Sequence, residues 1–237
     1  GDVYKRQVLY KGKDTVAILL PYLSPVFYDY DGDDIADLLF GTTDGLYWVK
    51  SSDFSRHPKL LLSGRYLKPA VGDIDTDGKP DLIVGDANGH VVLYRDFDLT
   101  QPESLLHDTS LLGAAPTCGD IDMDGKPEIL VGFESGAFRV IDDGEVDTFP
   151  IYSGRMPSPT FHDIDHDGTD ELIIGTLDGK IYCYKYKAGV WQEWQSFQPR
   201  TDRYRRFTTA KPLLIPHDTA TAVSYTHLRA HETRHDL

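Results

Sequence analysis

The chain has 237 residues, with 24 lysines and arginines against 38 aspartates and glutamates, so its formal net charge is −14. Such an acidic chain is not expected to bind nucleic acid, which needs positive protein surface. Its 40% of hydrophobic residues support a buried core, its two cysteines exclude a disulfide framework, and no apolar run predicts a membrane span.

The two ends, residues 1–7 and 223–237, do not fit the pattern between them. Both resemble translated sequencing-adapter read-through, and neither has the periodicity of a strand or a helix. We therefore leave both out of the fold prediction, as is done for tags and fusion scars. On this interpretation the folded part spans 8–222 and is cut at both ends, so a signal peptide is not observable.

An acidic motif is repeated four times between these ends. Each copy has carboxylates at its positions 1, 3, 5 and 9, and the first aspartates are 44, 47 and 43 residues apart. We call the copies loops 1 to 4, and they span 29–37, 73–81, 120–128 and 163–171. A proline lies four residues before each loop, at Pro25, Pro69, Pro116 and Pro159. Glycines follow the first aspartate by twelve residues, at Gly41, Gly85, Gly132 and Gly175, and again by sixteen.

The segments around each loop predict four short strands. A strand precedes the loop, an apolar run such as 82–84 follows it, and a turn such as Asn88-Gly89 leads to a return strand and a weaker outer strand. Turns of this type are typical of two-residue hairpins whose central residues both have positive φ. Four antiparallel strands in about 45 residues are typical of one β-propeller blade.

The sequence therefore predicts an all-β fold, a partial β-propeller of four-stranded antiparallel blades with a calcium-binding, aspartate-rich loop in each. The four repeats start near residues 24, 68, 115 and 158. Residues 8–22 are interpreted as the remnant of an earlier blade, and a further blade is predicted to begin near 210. The remnants favour a parent propeller with more than four blades.

The acidic loops predict cation sites. Carboxylates at positions 1, 3 and 5 of a tight turn converge, a glycine at position 6 permits the turn, and the position-9 carboxylate closes the site. Oxygen-only ligation suits a hard cation, and Ca²⁺ tolerates six to eight oxygens in flexible geometry, whereas Mg²⁺ requires a stricter octahedron. We predict up to four Ca²⁺ ions. The predicted ligands are Asp29, Asp31, Asp33, Asp37, Asp73, Asp75, Asp77, Asp81, Asp120, Asp122, Asp124, Glu128, Asp163, Asp165, Asp167 and Glu171.

Three alternatives to functional calcium sites were weighed. An EF-hand needs a glutamate at position 12 between two helices, but position 12 is apolar in all four copies. Ordinary solvated acidic turns are disfavoured by four phased copies. A purely structural metal, which locks the turn between two strands, is the favoured interpretation. Loop 1 has Asp34 where the other loops have glycine at position 6, which predicts weaker binding there.

The pattern Asp-x-Asp-x-Asp-Gly-x-x-Asp-Leu-x-Val-Gly, followed by a Gly-x-[Ile/Val]-x-x-Tyr strand, resembles the FG-GAP (VCBS-type) repeat. This is the repeat of the integrin α-subunit propeller and of many bacterial secreted proteins, and the resemblance covers about 8–215. It implies Ca²⁺ in the aspartate loops and a role in adhesion or ligand recognition, with an unknown protein or glycan partner, in a secreted or cell-surface protein. The Phe-Gly-Gly-Ala-Pro stretch is absent, which favours the bacterial type.

An enzymatic role is the alternative, because some members of that family are attached to polysaccharide lyases or hydrolases. No serine, cysteine or lysine has a recognisable catalytic context, so no catalytic residue is predicted. Cys118 and Cys183 are interpreted as free thiols, and His162 and His166 are given no metal role. The arginine-rich segment 200–206 is either a contact for an anionic glycan or a solvated loop between blades.

Overall fold

A computed structural model describes residues 7–11, 14–18, 23–52, 58–108, 110–151, 153–177, 179–197, 214–215 and 222–223. Apart from residues 7 and 223, the two terminal segments attributed to read-through lie outside the described residues. The arginine-rich segment 200–206 also lies outside them.

The described residues form four antiparallel four-stranded sheets, which confirms the all-β propeller-type prediction. Two hairpins flank them, and we number all strands in chain order. The first hairpin pairs β1 (Gln7–Lys11) with β2 (Asp14–Ile18), and the last pairs β19 (Leu214–Ile215) with β20 (Ala222–Val223). The helical element among the described residues is a 3-10 turn, Arg95–Phe97.

Each of the four sheets is one blade, and its strands follow one another in space in chain order. Blade 1 comprises β3 (Ser24–Tyr28), β4 (Asp37–Gly41), β5 (Gly45–Val49) and β6 (Lys59–Ser63). Blade 2 comprises β7 (Lys68–Gly72), β8 (Asp81–Gly85), β9 (His90–Tyr94) and β10 (Glu103–His107). Blade 3 comprises β11 (Ala115–Gly119), β12 (Glu128–Gly132), β13 (Phe138–Asp142) and β14 (Glu145–Phe149). Blade 4 comprises β15 (Ser158–His162), β16 (Glu171–Gly175), β17 (Ile181–Lys187) and β18 (Val190–Phe197).

The second strand of each blade is buried on both faces, which explains why these runs are continuously apolar rather than alternating. In β8, Leu82 and Val84 join the apolar cluster shared with blade 1. Ile83, between them in sequence, joins the cluster shared with blade 3. In β12 the faces are assigned in the same way, since Leu130 packs toward blade 4. The core therefore consists of successive layers between neighbouring blades.

The repeated glycines and prolines meet at the boundaries between blades. A Cβ atom on Gly41 would lie 1.8 Å from the Leu67 carbonyl oxygen and 3.1 Å from Cδ of Pro69. A Cβ atom on Gly85 would lie 2.5 Å from the Ala114 carbonyl oxygen and 2.7 Å from Cδ of Pro116. The glycine that ends the second strand of one blade thus leaves room for the first strand of the next.

The hairpins between the second and third strands are longer than the predicted two-residue turns. Gly85 pairs with Val91, and Gly89 has a φ of +85° while Asn88 has negative φ. A two-residue turn with both φ values positive is therefore not formed. In blade 1 the hairpin is one residue shorter, because Gly41 pairs with Leu46. This difference decides which residue lies opposite each acidic loop.

Candidate metal centre

Each acidic loop connects the first strand of a blade to the second, and its position-9 carboxylate is the first residue of that second strand. These four side chains are buried, with relative exposures of 0% to 4%, and they are Asp37, Asp81, Glu128 and Glu171. The carboxylates at positions 1, 3 and 5 are half-buried or exposed. Each loop therefore places three accessible carboxylates above one that the sheet holds in place.

The loop backbone curls around the carboxylate at position 1. In loop 3, Asp120 accepts hydrogen bonds from the N–H groups of Asp124 at 3.0 Å and Gly125 at 2.9 Å. The same pair of bonds is present in the other loops. Turning the N–H groups inward requires positive φ at position 6, where Gly125 has +93°.

Loop 1 meets this requirement in a different way. Its Asp34 adopts a φ of +63° at position 6, and its glycine, Gly32, lies at position 4 with a φ of +77°. The other loops have Thr76, Met123 and His166 with positive φ at position 4. Every loop thus has one glycine and one non-glycine residue in the left-handed region, and loop 1 has them in the opposite order.

The structure gathers all four predicted carboxylates in one loop and three in each of the others, with ligand oxygens within 4.8 Å of one another. The complete group is Asp120, Asp122, Asp124 and Glu128. The groups of three are Asp29, Asp31 and Asp33 in loop 1, Asp73, Asp75 and Asp77 in loop 2, and Asp163, Asp165 and Glu171 in loop 4. The predicted ligands Asp37, Asp81 and Asp167 lie outside these groups.

The two position-9 aspartates, which lie outside the groups, each accept hydrogen bonds from two N–H groups. Asp37 accepts the Ser51 N–H at 2.8 Å and the Trp48 indole N–H at 2.8 Å. Asp81 accepts the N–H groups of Ile74 at 3.1 Å and Asp96 at 2.9 Å. In loops 3 and 4 position 9 is glutamate, whose additional methylene group lets the carboxylate reach into the loop.

One further residue of each blade lies opposite position 9 across the sheet, and we call it the opposing residue. Leu38, which follows the position-9 residue of blade 1, pairs with Val49, and Leu172, which follows that of blade 4, pairs with Tyr184. The residue after Val49 and the residue after Tyr184 therefore lie opposite the position-9 carboxylates. Blades 2 and 3 have the corresponding register. The opposing residues are Lys50, Arg95, Asp142 and Lys185. The sequence pattern indicated a role for none of them.

Two of the opposing residues direct an ammonium group into their loop. Lys185 contacts Asp165, Asp167 at 2.9 Å and Glu171 at 2.9 Å. These hydrogen bonds raise the pKa of Lys185 above its usual value. Lys50 contacts Asp31 and Asp33, the latter at 2.7 Å, and the pKa of Lys50 is raised in the same way.

In loop 2 the opposing residue contacts only one carboxylate of the group. Arg95 donates from Nη1 to Asp75 at 2.8 Å, and its Nε pairs with Glu103 at 3.1 Å. A second cation, Lys79, lies 3.2 Å from Asp77 on the exposed side of the loop. The loop 2 carboxylates are therefore paired at the surface, while the buried Asp81 is satisfied by backbone N–H groups.

Loop 3 has no such cation among the described residues, and its opposing residue Asp142 is itself acidic. Glu128 accepts the Ile121 N–H at 2.6 Å through Oε2. Burial, with a smaller contribution from the charges of Asp122 and Asp142, raises the pKa of Glu128 to about 7 against the effect of that hydrogen bond. A cation bound here would offset both the cost of burying the Glu128 charge and the repulsion from its acidic neighbours.

The donor set fits a hard cation. In the described residues every candidate metal group consists of carboxylates alone, without histidine or cysteine, and oxygen ligands are those preferred by Ca²⁺ and Mg²⁺. Cys118 and Cys183 are not joined in a disulfide, as predicted, and Cys118 Sγ donates to the Val71 carbonyl oxygen at 3.1 Å. The fit is best in loop 3, where four carboxylates converge and no described lysine or arginine pairs with them.

A cavity of about 310 Å³ lies where the first strands of the blades converge. Its lining includes Leu23, Tyr66, Lys68, Glu134 and Ser158. Burial lowers the pKa of Lys68 to about 8, against the charge of Glu134, which raises it. The Lys68 ammonium donates to the Gly113 carbonyl oxygen at 3.3 Å.

The comparison with protein families matches residues 73–131 to the FG-GAP-like repeat. This segment runs from the first ligand of loop 2 to Val131 in β12. The segment is similar to an FG-GAP-like repeat. The resemblance inferred from the residues is confirmed for this segment, and the same order of strands recurs in blades 1 and 4. No curated protein matches the chain.

Solved structures with similar architecture have low identity to this chain. A crystal structure of BBS1N in complex with ARL6DN, soaked with lead, has a TM-score of 0.45 at 14% identity, covering 82% of this chain and 59% of that one. Raptor from Chaetomium thermophilum has a TM-score of 0.45 at 18% identity, with 81% and 17% covered. A protein of unknown function from Bacteroides caccae has a TM-score of 0.44 at 8% identity, with 91% and 80% covered. With TM-scores below 0.5, these likenesses carry no argument about function.

Proposed function

We propose that this FG-GAP-like propeller is a calcium-binding module that recognises a protein or glycan ligand in a secreted or cell-surface protein. The observation that carries the proposal is the group of four carboxylates in loop 3, whose ligand oxygens lie within 4.8 Å of one another. Four carboxylates at this separation repel one another, and a divalent cation is the ordinary means of compensating them.

The ligands in loop 3 would be Asp120, Asp122 and Asp124 from the loop and Glu128 from β12. Because Glu128 is fixed in the sheet and the aspartates belong to the connection, a bound ion would fasten the loop to the blade. The ion supplies charge neutralisation and a rigid turn between β11 and β12. The sequence predicted up to four ions, and loops 1, 2 and 4 hold the remaining groups of three carboxylates.

The compartment is supported by the family match, since FG-GAP-like repeats are typical of extracellular proteins. Extracellular calcium modules have dissociation constants of about 10⁻⁴–10⁻³ M, which suits sites built largely from exposed aspartates. In the described residues no helix is long and apolar enough to cross a membrane. The recognition of a protein or glycan is the role that the FG-GAP resemblance implies.

The calcium part of the proposal is tested by thermal unfolding of the full chain after treatment with a chelator. Calcium should raise the Tm, magnesium at the same concentration should raise it less, and added chelator should reverse the shift. An unchanged Tm at 5–10 mM calcium, on the order of ten times the expected Kd, would refute it.

The recognition part is tested separately with immobilised glycans and with extracellular matrix proteins, in calcium and in chelator. We expect calcium-dependent retention on at least one ligand class. Retention that is equal in chelator would mean that calcium does not support the recognition surface, and no retention on either class would contradict the recognition role.

A further inference from the structure

We propose that loops 1 and 4 are neutralised by an ammonium group of the protein itself, and that loop 3 is the principal divalent-cation site. This inference rests on the proposed calcium function and identifies the loop that performs it. It is drawn from the opposing residue of each blade, which is a lysine in blades 1 and 4 and an aspartate in blade 3.

Loop 4 shows the protein cation most completely. Lys185 Nζ contacts carboxylates from positions 3, 5 and 9, and its distances to Asp167 and Glu171 are 2.9 Å. Its side chain is only 10% exposed, and the ring of Trp194 lies 4.7 Å from the ammonium, so the charge is enclosed on several sides. The ammonium thus contacts three of the four carboxylates that were predicted to bind calcium.

Loop 1 reaches the same balance with a different set of donors. Lys50 neutralises Asp31 and Asp33, and both oxygens of Asp37 accept hydrogen bonds from Ser51 and Trp48. Asp29 accepts three backbone N–H groups of its own loop. Every predicted calcium ligand of loop 1 is therefore already satisfied by a donor from the protein.

Loop 3 differs in having no ammonium donor among the described residues, and its four carboxylates accept hydrogen bonds from backbone N–H groups alone. Glu128 is only 4% exposed, and its Oε2 accepts the Ile121 N–H. Its Oε1 accepts no hydrogen bond from any described residue, although a Glu128 oxygen lies in the four-carboxylate group. No described side-chain oxygen is both buried and without a partner, so Oε1 is accessible to a cation, which would offset the repulsion among the four carboxylates. The acidic Asp142 increases the negative charge at this loop.

These differences change what a metal ion must do on entering each loop. In loop 3 it meets four carboxylates, and no described protein cation has to be displaced. In loop 4 it must first move the Lys185 ammonium away from three carboxylates and past Trp194. Loop 2 is intermediate, because Arg95 contacts Asp75 alone and Asp81 is held by the backbone.

The test is calorimetric titration of calcium into the chelator-treated full chain and four variants. Asp142→Lys places a cation opposite Glu128, and it should weaken the tightest site by about tenfold or more. Asp147→Lys makes the same charge change at an exposed position of β14 and should leave that site within about twofold, since exposed charges are screened. Lys185→Met should add one calcium site, whereas Lys187→Met, at an exposed position of the same strand, should add none.

The outcomes separate this inference from the proposed function. Equal affinities at four sites, unchanged by Asp142→Lys and Lys185→Met, would overturn the inference while calcium binding stood. No calcium heat from the wild type or from any variant would refute the calcium function and the inference with it. If Lys185→Met unfolds in chelator, refolding on calcium addition supports the inference, and Asp142→Lys, at an exposed position, decides independently of that variant.

Discussion

At the boundary of blades 1 and 2, Gly41 lies against Leu67 and Pro69, and at the next boundary Gly85 makes the corresponding contact. The acidic loops of the same blades differ, because the opposing residue is Lys50 in one and Arg95 in the next. At the boundary between blades few residue types fit the glycine position, since backbone meets backbone there. At the position opposite a half-exposed acidic loop several residue types fit, because an ammonium, a guanidinium or a metal ion can each compensate the charge of the carboxylates.

The largest effect is expected from a core residue between blades. Leu130 is 0% exposed, so Leu130→Ala should lower the free energy of unfolding by about 3 kcal/mol through lost burial and a cavity. Leu112 is 49% exposed, and Leu112→Ala should change it by less than about 0.5 kcal/mol. Urea unfolding measures both, and similar losses would refute the layered core.

The next effect tests the glycine at a blade boundary. Gly85→Ala should cost about 2–3 kcal/mol, because its Cβ would meet the backbone and proline of blade 3. Gly144 has open space around a Cβ but a φ of +85°, so Gly144→Ala should cost only about 1 kcal/mol of backbone strain. Equal costs in urea unfolding would mean that backbone conformation, and not packing between blades, explains the repeated glycine.

A smaller effect compares the two loops that have glutamate at position 9. With calcium at ten times the Kd, binding should stabilise the wild type by about 1.4 kcal/mol. Glu128→Gln should abolish this calcium-dependent gain, whereas Glu171→Gln should retain it, because loop 4 contains the Lys185 ammonium. The measurement is the difference in urea midpoint with and without calcium. Loss of the gain in Glu171→Gln alone would reverse the assignment of the loops.

The smallest effect concerns the left-handed residues of loop 1. Asp34→Gly should stabilise the chain by about 0.5 kcal/mol or less, because glycine adopts positive φ without strain but loses more entropy on folding. Gly32→Ala should cost about 1 kcal/mol for the same conformational reason. Thermal unfolding in chelator checks both signs. Destabilisation by Asp34→Gly would show that the side chain contributes more than its conformation costs.

The blade framework could be predicted from the sequence because its determinants are local and repeated. The proline before each loop, the apolar run after it and the glycine twelve residues from the first aspartate set the strands, and all have the same spacing in four copies. The acidic loops were placed by the same spacing. The turn type was predicted incorrectly, because Asn88-Gly89 lies in a longer hairpin with only the glycine at positive φ, and in Asp44-Gly45 neither residue has positive φ.

The difference among the loops could not be predicted, because it depends on contacts across the sheet. Lys50 lies 21 residues after the first aspartate of loop 1, and Lys185 lies 22 after that of loop 4. Simple alignment of the repeats therefore separates two residues that the shorter hairpin of blade 1 brings to the same place. The position-9 carboxylates differ for the same reason. Glu128 reaches into its loop, whereas Asp37 is bonded to the Trp48 and Ser51 donors.

The most direct test of the account is a crystal structure of the full chain grown in calcium, with an anomalous difference map to locate the ions. The account predicts a calcium peak among Asp120, Asp122, Asp124 and Glu128, and the Lys185 ammonium in contact with Asp165, Asp167 and Glu171. A calcium peak in loop 4 with Lys185 turned away, and none in loop 3, would contradict it.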